Sequence, residues 1–252
     1  MAGGVLLLAG LALGEARSDA PANAGTVPSL PDELSSTPAA DERLTAWTLD
    51  QARDAIAGNE DLVISVLGDS TGVGPERWVS LYAQHLSDNA TVTLHSWTEA
   101  TQTYAPARTM GAGDRQIEIW NGSYPGASWE YGMQNLAALQ PVVPDLVIGN
   151  YGHNQGSRPV NEGYNQLVAA MEEKNGSPVA MVVTIQNPAL NERADISAKA
   201  EDALELWVNG NDVPAIDVRS AFGERTDLLL DNVHPDPEGS RIWADTVIAA
   251  LG

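Results

Sequence analysis

Two patterns of apolar residues alternate along the chain. Short, nearly continuous apolar runs at residues 61–67, 145–149, 179–185 and 213–218 have the length and character of strands covered on both faces. Residues 91–97 alternate apolar with polar, and residues 116–120 form a further short strand candidate. Between these runs, residues 48–57, 75–86, 128–139, 161–174, 191–208 and 238–251 carry apolar positions at helical spacing. Thr48 with Gln51 forms a capping-box pair at the start of the first helix, and Gly58 closes it. In the second, Trp78, Leu81, Tyr82 and His85 share a face. Strand, helix and strand repeated at this spacing predict an α/β fold, a three-layer α/β/α sandwich with a mostly parallel central sheet. In such folds chemistry gathers beyond the carboxyl ends of the strands. Residues 98–114 are polar, contain Pro and Gly and fit neither period, so they are expected as a long surface loop near the site.

The amino-terminal region differs. Residues 1–14 carry no charge, and the apolar run 5–13 leads to small residues around Ala22, Asn23 and Ala24, a pattern that predicts a cleavable secretory segment over 1–24 and a secreted protein. The segment lacks the basic residues that usually precede such a run, and the run is shorter than the ~20 residues of a spanning helix. Residues 25–43, rich in Pro, Ser, Thr and Ala, read as a linker, which leaves 44–252 as the folded domain.

Composition then narrows the chemistry. Of 252 residues, 43% are hydrophobic and 19% charged, a globular balance. The net charge of −21 argues against nucleic acid or an anionic membrane surface as partner, since both require a basic footprint. With no cysteine there is no disulfide, thiolate metal site, thiol nucleophile or lipidated cysteine. Catalysis has to rest on oxygen and nitrogen groups. Asp231, Asp236 and Glu238 crowd one loop, but prolines interrupt the run and no EF-hand spacing is present, so they read as solvated acids rather than a calcium site.

Directly after the first buried run stands Gly68-Asp69-Ser70-Thr71-Gly72. A serine on a glycine-flanked turn at a strand's carboxyl end is well placed for a nucleophile; a strand end that simply caps the next turn reads equally well locally. A serine hydroxyl needs a base, and the chain holds only His85, His95, His153 and His234. His85 lies on a helix stripe and His95 within a strand pattern, positions that suit packing. His234 follows Asp231 by three residues in a loop before the last helix. That spacing lets a turn set the carboxylate against one ring nitrogen while the other faces the serine.

Gly68-Asp69-Ser70 near the start of the domain and Asp231-Asn232-Val233-His234 near its end resemble the first and last blocks of the SGNH hydrolases, the GDSL esterases and lipases. Residues 121–126, ending in Gly126, resemble the second block, and Gly152-His153-Asn154 the third, so four blocks occur in family order. The resemblance implies an SGNH or flavodoxin-like α/β/α sandwich and a serine ester hydrolase working through an acyl-enzyme. Ser70 would be the nucleophile, His234 the base and Asp231 its orienting acid. The Ser70 and Gly126 N–H groups and the Asn154 side chain would form the oxyanion hole. It implies no metal or organic cofactor, and as partner a small-molecule or polysaccharide ester, a short acyl or acetyl ester foremost. The sequence departs from the family at Thr71, commonly leucine, and at Gln155, commonly aspartate. Gly149-Asn150 offers a competing register for the asparagine, with Asn154 preferred for its Gly-x-Asn spacing.

Two other readings stand beside this one. Residues 68–72 also satisfy the G-x-S-x-G elbow of the α/β-hydrolases, although only one buried strand precedes Ser70. A non-catalytic, carbohydrate-binding relative would use tryptophans instead: Trp97, Trp120 and Trp129 are expected to flank the site, while Trp78, Trp207 and Trp243 are expected in the core. Asn89, Asn121 and Asn175 begin N-x-S/T triplets, and a glycan on Asn121 would obstruct the second block.

Overall fold

Strand β1 (Leu62–Gly68) lies in the middle of a sheet of eight strands, paired in parallel with β5 (Gln116–Asn121) on one side and β6 (Leu146–Asn150) on the other. The computed structural model describes residues 47–190 and 194–252. The secretory segment expected over 1–24 and the linker over 25–43 lie outside the described residues.

Beyond β6 the sheet continues in parallel through β7 (Met181–Ile185) to β8 (Ala215–Asp217), and beyond β5 it adds β2 (Thr91–Thr98). Counted in chain order, strands β5, β1, β6, β7 and β8 run second, first, third, fourth, fifth, the flavodoxin-like order, and β2 extends it outside β5. The chain reverses direction across the sheet between β1 and β6, the place where doubly wound sheets open a crevice for ligands.

The apolar runs are strands because both of their faces are covered. Ile64 and Val66 of β1 pack with Ile119 and Ile148 toward one layer, formed by α1 (Leu49–Ala57), α2 (Trp78–Leu86), α7 (Val218–Phe222) and α8 (Pro237–Leu251). Leu67, Val147 and Val183 face the other, formed by α3 (Trp129–Gln134), α4 (Leu136–Leu139), α5 (Val160–Asn175) and α6 (Ala194–Gly210). Alternation of side chains along each strand thus feeds two separate cores. The capping box read at Thr48 and Gln51 is present, with reciprocal bonds of 3.2 and 2.7 Å. At the other end of the chain Asp236 caps α8 by accepting from the Gly239 N–H at 2.7 Å, with Pro237 in the first turn.

Two expectations need correction. Residues 98–114 are not one loop: β3 (Thr103–Tyr104) and β4 (Arg108–Met110) fold back antiparallel onto β2. They pair the outer backbone groups of a strand that would otherwise be an open edge, and they are too short to show a period in sequence. The helix expected over 128–139 breaks at Asn135 (φ −111°), whose side chain donates to the Tyr131 carbonyl at 2.9 Å. An asparagine amide competing for the helix's own carbonyls is a local reason for the break.

Candidate active site

Ser70 opens a single 3₁₀ turn, Ser70–Gly72, immediately beyond β1. Asp69 caps that turn: its Oδ1 accepts from the Thr71 N–H at 3.0 Å and from the Thr71 hydroxyl at 2.7 Å. Asp69 itself is wholly buried, which leaves Ser70 as the partly exposed member of the turn.

The loop before α8 brings His234 to this serine, with Nε2 2.8 Å from Ser70 Oγ. Both Asp231 oxygens lie close to His234 Nδ1, at 2.9 and 2.8 Å. A carboxylate only accepts, so Nδ1 carries the ring proton and Nε2 is free to accept from the serine hydroxyl. The local sequence explains the turn. Asp231 Oδ1 also accepts from the Val233 and His234 N–H groups at 3.3 and 2.9 Å, and Asn232 takes the left-handed conformation (φ 68°) that asparagine tolerates. Burial pushes the Asp231 carboxyl up, but hydrogen bonds from the His234 backbone and ring and from Val233, with the electrostatic attraction of His234, outweigh it and hold the group below the usual carboxylate range. The segment after β7 fastens the loop: Asn187 Nδ2 donates to the Val233 carbonyl at 2.9 Å, and the Leu190 N–H to the Asn232 carbonyl at 2.7 Å.

The remaining expected residues follow neighbouring strands. Gly126 lies in the turn after β5 at φ 73°, and among the described residues neither its N–H nor that of Ser70 has an acceptor. Asn154 lies beyond β6; its Nδ2 donates to the Ala127 carbonyl at 3.1 Å and approaches Asp69 Oδ2 at 3.4 Å, which links the loops after β1, β5 and β6. Asn150, the competing asparagine, is wholly buried at the end of β6. It donates to the Thr71 hydroxyl at 2.9 Å and accepts from the Thr184 hydroxyl at 2.6 Å. Of the two, Asn154 is the part-exposed one and Asn150 the fully buried one.

Sequence reasoning missed the residues beneath this surface. Gln186, directly after β7, donates from Nε2 to Asp69 Oδ2 and to Asn150 Oδ1, both at 3.0 Å, and its Oε1 accepts from the His153 N–H at 2.8 Å. Its own N–H donates to Glu201 Oε2 at 2.9 Å. A signal for both was present: Gln186 and Asn187 are polar residues at the carboxyl end of an apolar run, and Glu201 falls on the buried stripe of α6 with Ser197, Leu204 and Val208.

No protein-family model matches the sequence, and no curated protein is similar enough in sequence to match. Solved structures do match. A G-D-S-L family lipolytic protein from Desulfitobacterium hafniense DCB-2 superimposes with a TM-score of 0.55 at 15% identity, covering 76% of this chain and 100% of its own. The lipase/acylhydrolase from Enterococcus faecalis gives 0.55 at 16%, covering 75% and 94%. An acetylxylan esterase from Geobacillus stearothermophilus gives 0.53 at 14%, covering 77% and 95%. The chain has the SGNH-hydrolase fold.

Within this SGNH fold the other singled-out residues have ordinary partners. His95 stacks on Trp120 with ring centroids 3.7 Å apart, and burial lowers its pKa. His153 Nε2 lies 2.8 Å from the Asn187 carbonyl. Asp231 is held by His234, Asp236 caps α8 and Glu238 pairs with Arg225, and among the described residues no group of acids and histidines is arranged to hold a metal. Trp97 and Trp129 are buried, so the expectation that they offer faces for a sugar beside the site is corrected; the half-buried aromatics near Gly126 are Tyr124 and Tyr131, stacked at 4.4 Å. Trp78, Trp207 and Trp243 are in the core as expected. Asn121 is buried, donates to the Gly72 carbonyl at 2.9 Å and accepts from the Ser123 N–H, so its amide offers no room for a glycan. Among the described residues no helix is long and apolar enough to cross a membrane.

Proposed function

We propose that the protein is a secreted serine ester hydrolase that cleaves carboxylic esters, short-acyl or acetyl esters foremost, through an acyl-enzyme. The observation that carries this reading is the continuous hydrogen-bonded chain from Ser70 through His234 to Asp231 at the carboxyl end of β1. The ester hydrolases among the structural neighbours support it, the acetylxylan esterase in particular favouring a small acyl group. Export rests on the signal-like residues 1–24.

In this mechanism His234 Nε2 takes the Ser70 proton as Oγ attacks the ester carbonyl, and Asp231 holds the ring in the tautomer that accepts and stabilises the imidazolium. The carbonyl oxygen gains negative charge and is received by the Ser70 and Gly126 N–H groups and by Asn154 Nδ2, whose 3.4 Å contact to Asp69 is long enough to exchange for a stronger one. His234 then protonates the leaving alcohol. Water enters, gives a proton to the same nitrogen and hydrolyses the acyl-serine. Ordering three loops by mutual hydrogen bonds before substrate arrives lets the donors act without reorganising during the reaction.

Hydrolysis of 4-nitrophenyl acetate by the full chain, compared with the Ser70→Ala variant, tests the proposal. Saturable release of nitrophenol that vanishes in the variant is expected. Release that persists unchanged in Ser70→Ala rejects it.

A further inference from the structure

One buried carboxyl takes no part in the reaction just described. Glu201 is 3% exposed on α6, with Oε2 accepting the Gln186 N–H while Oε1 has no hydrogen-bond partner. It lies under the third-block loop. A Cβ added to Gly152 would fall 1.8 Å from Glu201 Oε1 and 2.7 Å from Gln186 Oε1, so both oxygens occupy the space that a side chain at 152 would need. Gln186 in turn touches both halves of the oxyanion side, with Oε1 on the His153 N–H and Nε2 on Asp69.

We propose that Glu201 is a positioning residue for the oxyanion side of the site, acting through Gln186 on the loop of residues 152–154 and on Asp69. The proposal rests on the ester-hydrolase reading for its effect on turnover. Its physical core is the orientation of one amide. Gln186 serves the site only with its oxygen toward His153 and its nitrogen toward the Asp69 carboxylate; turned over, it would set oxygen against carboxylate and N–H against N–H. A carboxyl at 201 favours that orientation, because Oε2 takes the Gln186 N–H while Oε1 lies beside Gly152, as does Gln186 Oε1, where a protonated carboxyl is compatible with the amide oxygen and an ionised one is not. Burial pushes the Glu201 carboxyl well above the usual carboxylate range; the Gln186 N–H and the Arg219 guanidinium oppose this, and the charges of Asp69 and Asp202 add to it. Tyr164 also lies within electrostatic reach, but its own hydroxyl is pushed up by burial and stays neutral. Burial thus favours the protonated form of Glu201. The result is a buried relay from α6 to Asn154 in which each polar group constrains the next.

Three full-length proteins test this: wild type, Glu201→Gln and Glu201→Met. Glutamine keeps an acceptor for the Gln186 N–H and a donor for its Oε1; methionine keeps the volume and removes both. Glu201→Gln is expected to hold wild-type turnover, whereas Glu201→Met loses roughly 10- to 100-fold in kcat with KM little changed, the effect of a misplaced oxyanion donor. Hydrogen exchange at the His153 N–H, followed by NMR, reads the relay without reference to activity. It should stay slow in Glu201→Gln and accelerate in Glu201→Met. Unchanged exchange and turnover in Glu201→Met, or equal losses in both variants, overturn the proposal. If the wild type hydrolyses no ester, the exchange difference alone still supports the positioning, and it is the ester-hydrolase reading that falls.

Discussion

His234 Nε2 lies 2.8 Å from Ser70 Oγ, a contact between residues 164 positions apart in sequence. Each partner is set by a short local device: Ser70 by the turn that Asp69 caps, His234 by the turn that Asp231 closes. The packing of α8 within the first layer and the bonds from Asn187 and Leu190 to the preceding loop bring the two devices together. In the proposed mechanism the reactivity of Ser70 follows from that contact. A fluorophosphonate probe should form one adduct, at Ser70, and mass spectrometry of Ser70→Ala should find none. An adduct on another serine in the variant speaks against the assignment.

Asp231→Asn keeps the size of the side chain but removes the charge that makes Nδ1 the donor. An amide nitrogen presented to Nδ1 favours the other tautomer, in which Nε2 cannot accept from the serine. A fall in kcat of about 10²–10⁴-fold is expected, with thermal unfolding checking that the turn survives. Wild-type turnover in this variant would leave the short Asp231–His234 contact without a catalytic consequence.

The two asparagines should separate into different phenotypes. Asn154→Ala is expected to lower kcat about 10²–10³-fold with KM nearly constant, as for loss of an oxyanion donor. Asn150→Ala removes one partner from each of the buried Thr71 and Thr184 hydroxyls and from Gln186 Nε2, and should cost about 1–3 kcal/mol of stability in urea unfolding. The reverse pattern would assign the oxyanion role to Asn150.

Gly126 and Gly152 are glycines for different reasons, and alanine at each should show it. At Gly126 a Cβ meets nothing within 4 Å, so only the left-handed backbone resists, at about 1 kcal/mol. At Gly152 the Cβ collides with Glu201 and Gln186, and overpacking of about 1–3 kcal/mol or more is expected. Chemical denaturation of both variants checks the order; a Gly126→Ala protein less stable than Gly152→Ala contradicts it.

Burial, which favours the protonated form of Glu201, gives stability a defined pH dependence. Above the ordinary carboxylate range the unfolded chain has lost this proton and the folded chain keeps it, so the unfolded state binds fewer protons and stability falls as pH rises, by at most about 1.4 kcal/mol per pH unit, until the folded group also ionises. Glu201→Gln removes this contribution. Its stability relative to wild type should therefore increase from pH 5 toward pH 8, measured by urea unfolding; a constant difference across that range would show Glu201 to be ionised in the native state.

The sequence by itself determined what depends on near neighbours. Apolar runs such as residues 61–67 identified strands covered on both faces, Thr48 and Gln51 marked a helix start, and the three-residue spacing of Asp231 and His234 contained its own turn, because period, caps and short turns are encoded within a few residues. Four motif blocks in order marked where the chain meets at the ends of β1, β5 and β6. Tertiary structure alone decided the rest. Strands β3 and β4 exist because β2 has an outer edge to cover, a fact of sheet order that their own few residues do not carry. Gln186 and Glu201 show in sequence only as polar residues at the end of an apolar run and on a buried helix stripe, and they become a network only because parallel register places the end of β7 beside Asp69 and Asn150 while α6 packs over Gly152. A hydrogen bond needs two groups within about 3 Å, and which distant groups come that close is set by how layers stack, so the pairing of these residues beneath the site could not be read until the layers were in place.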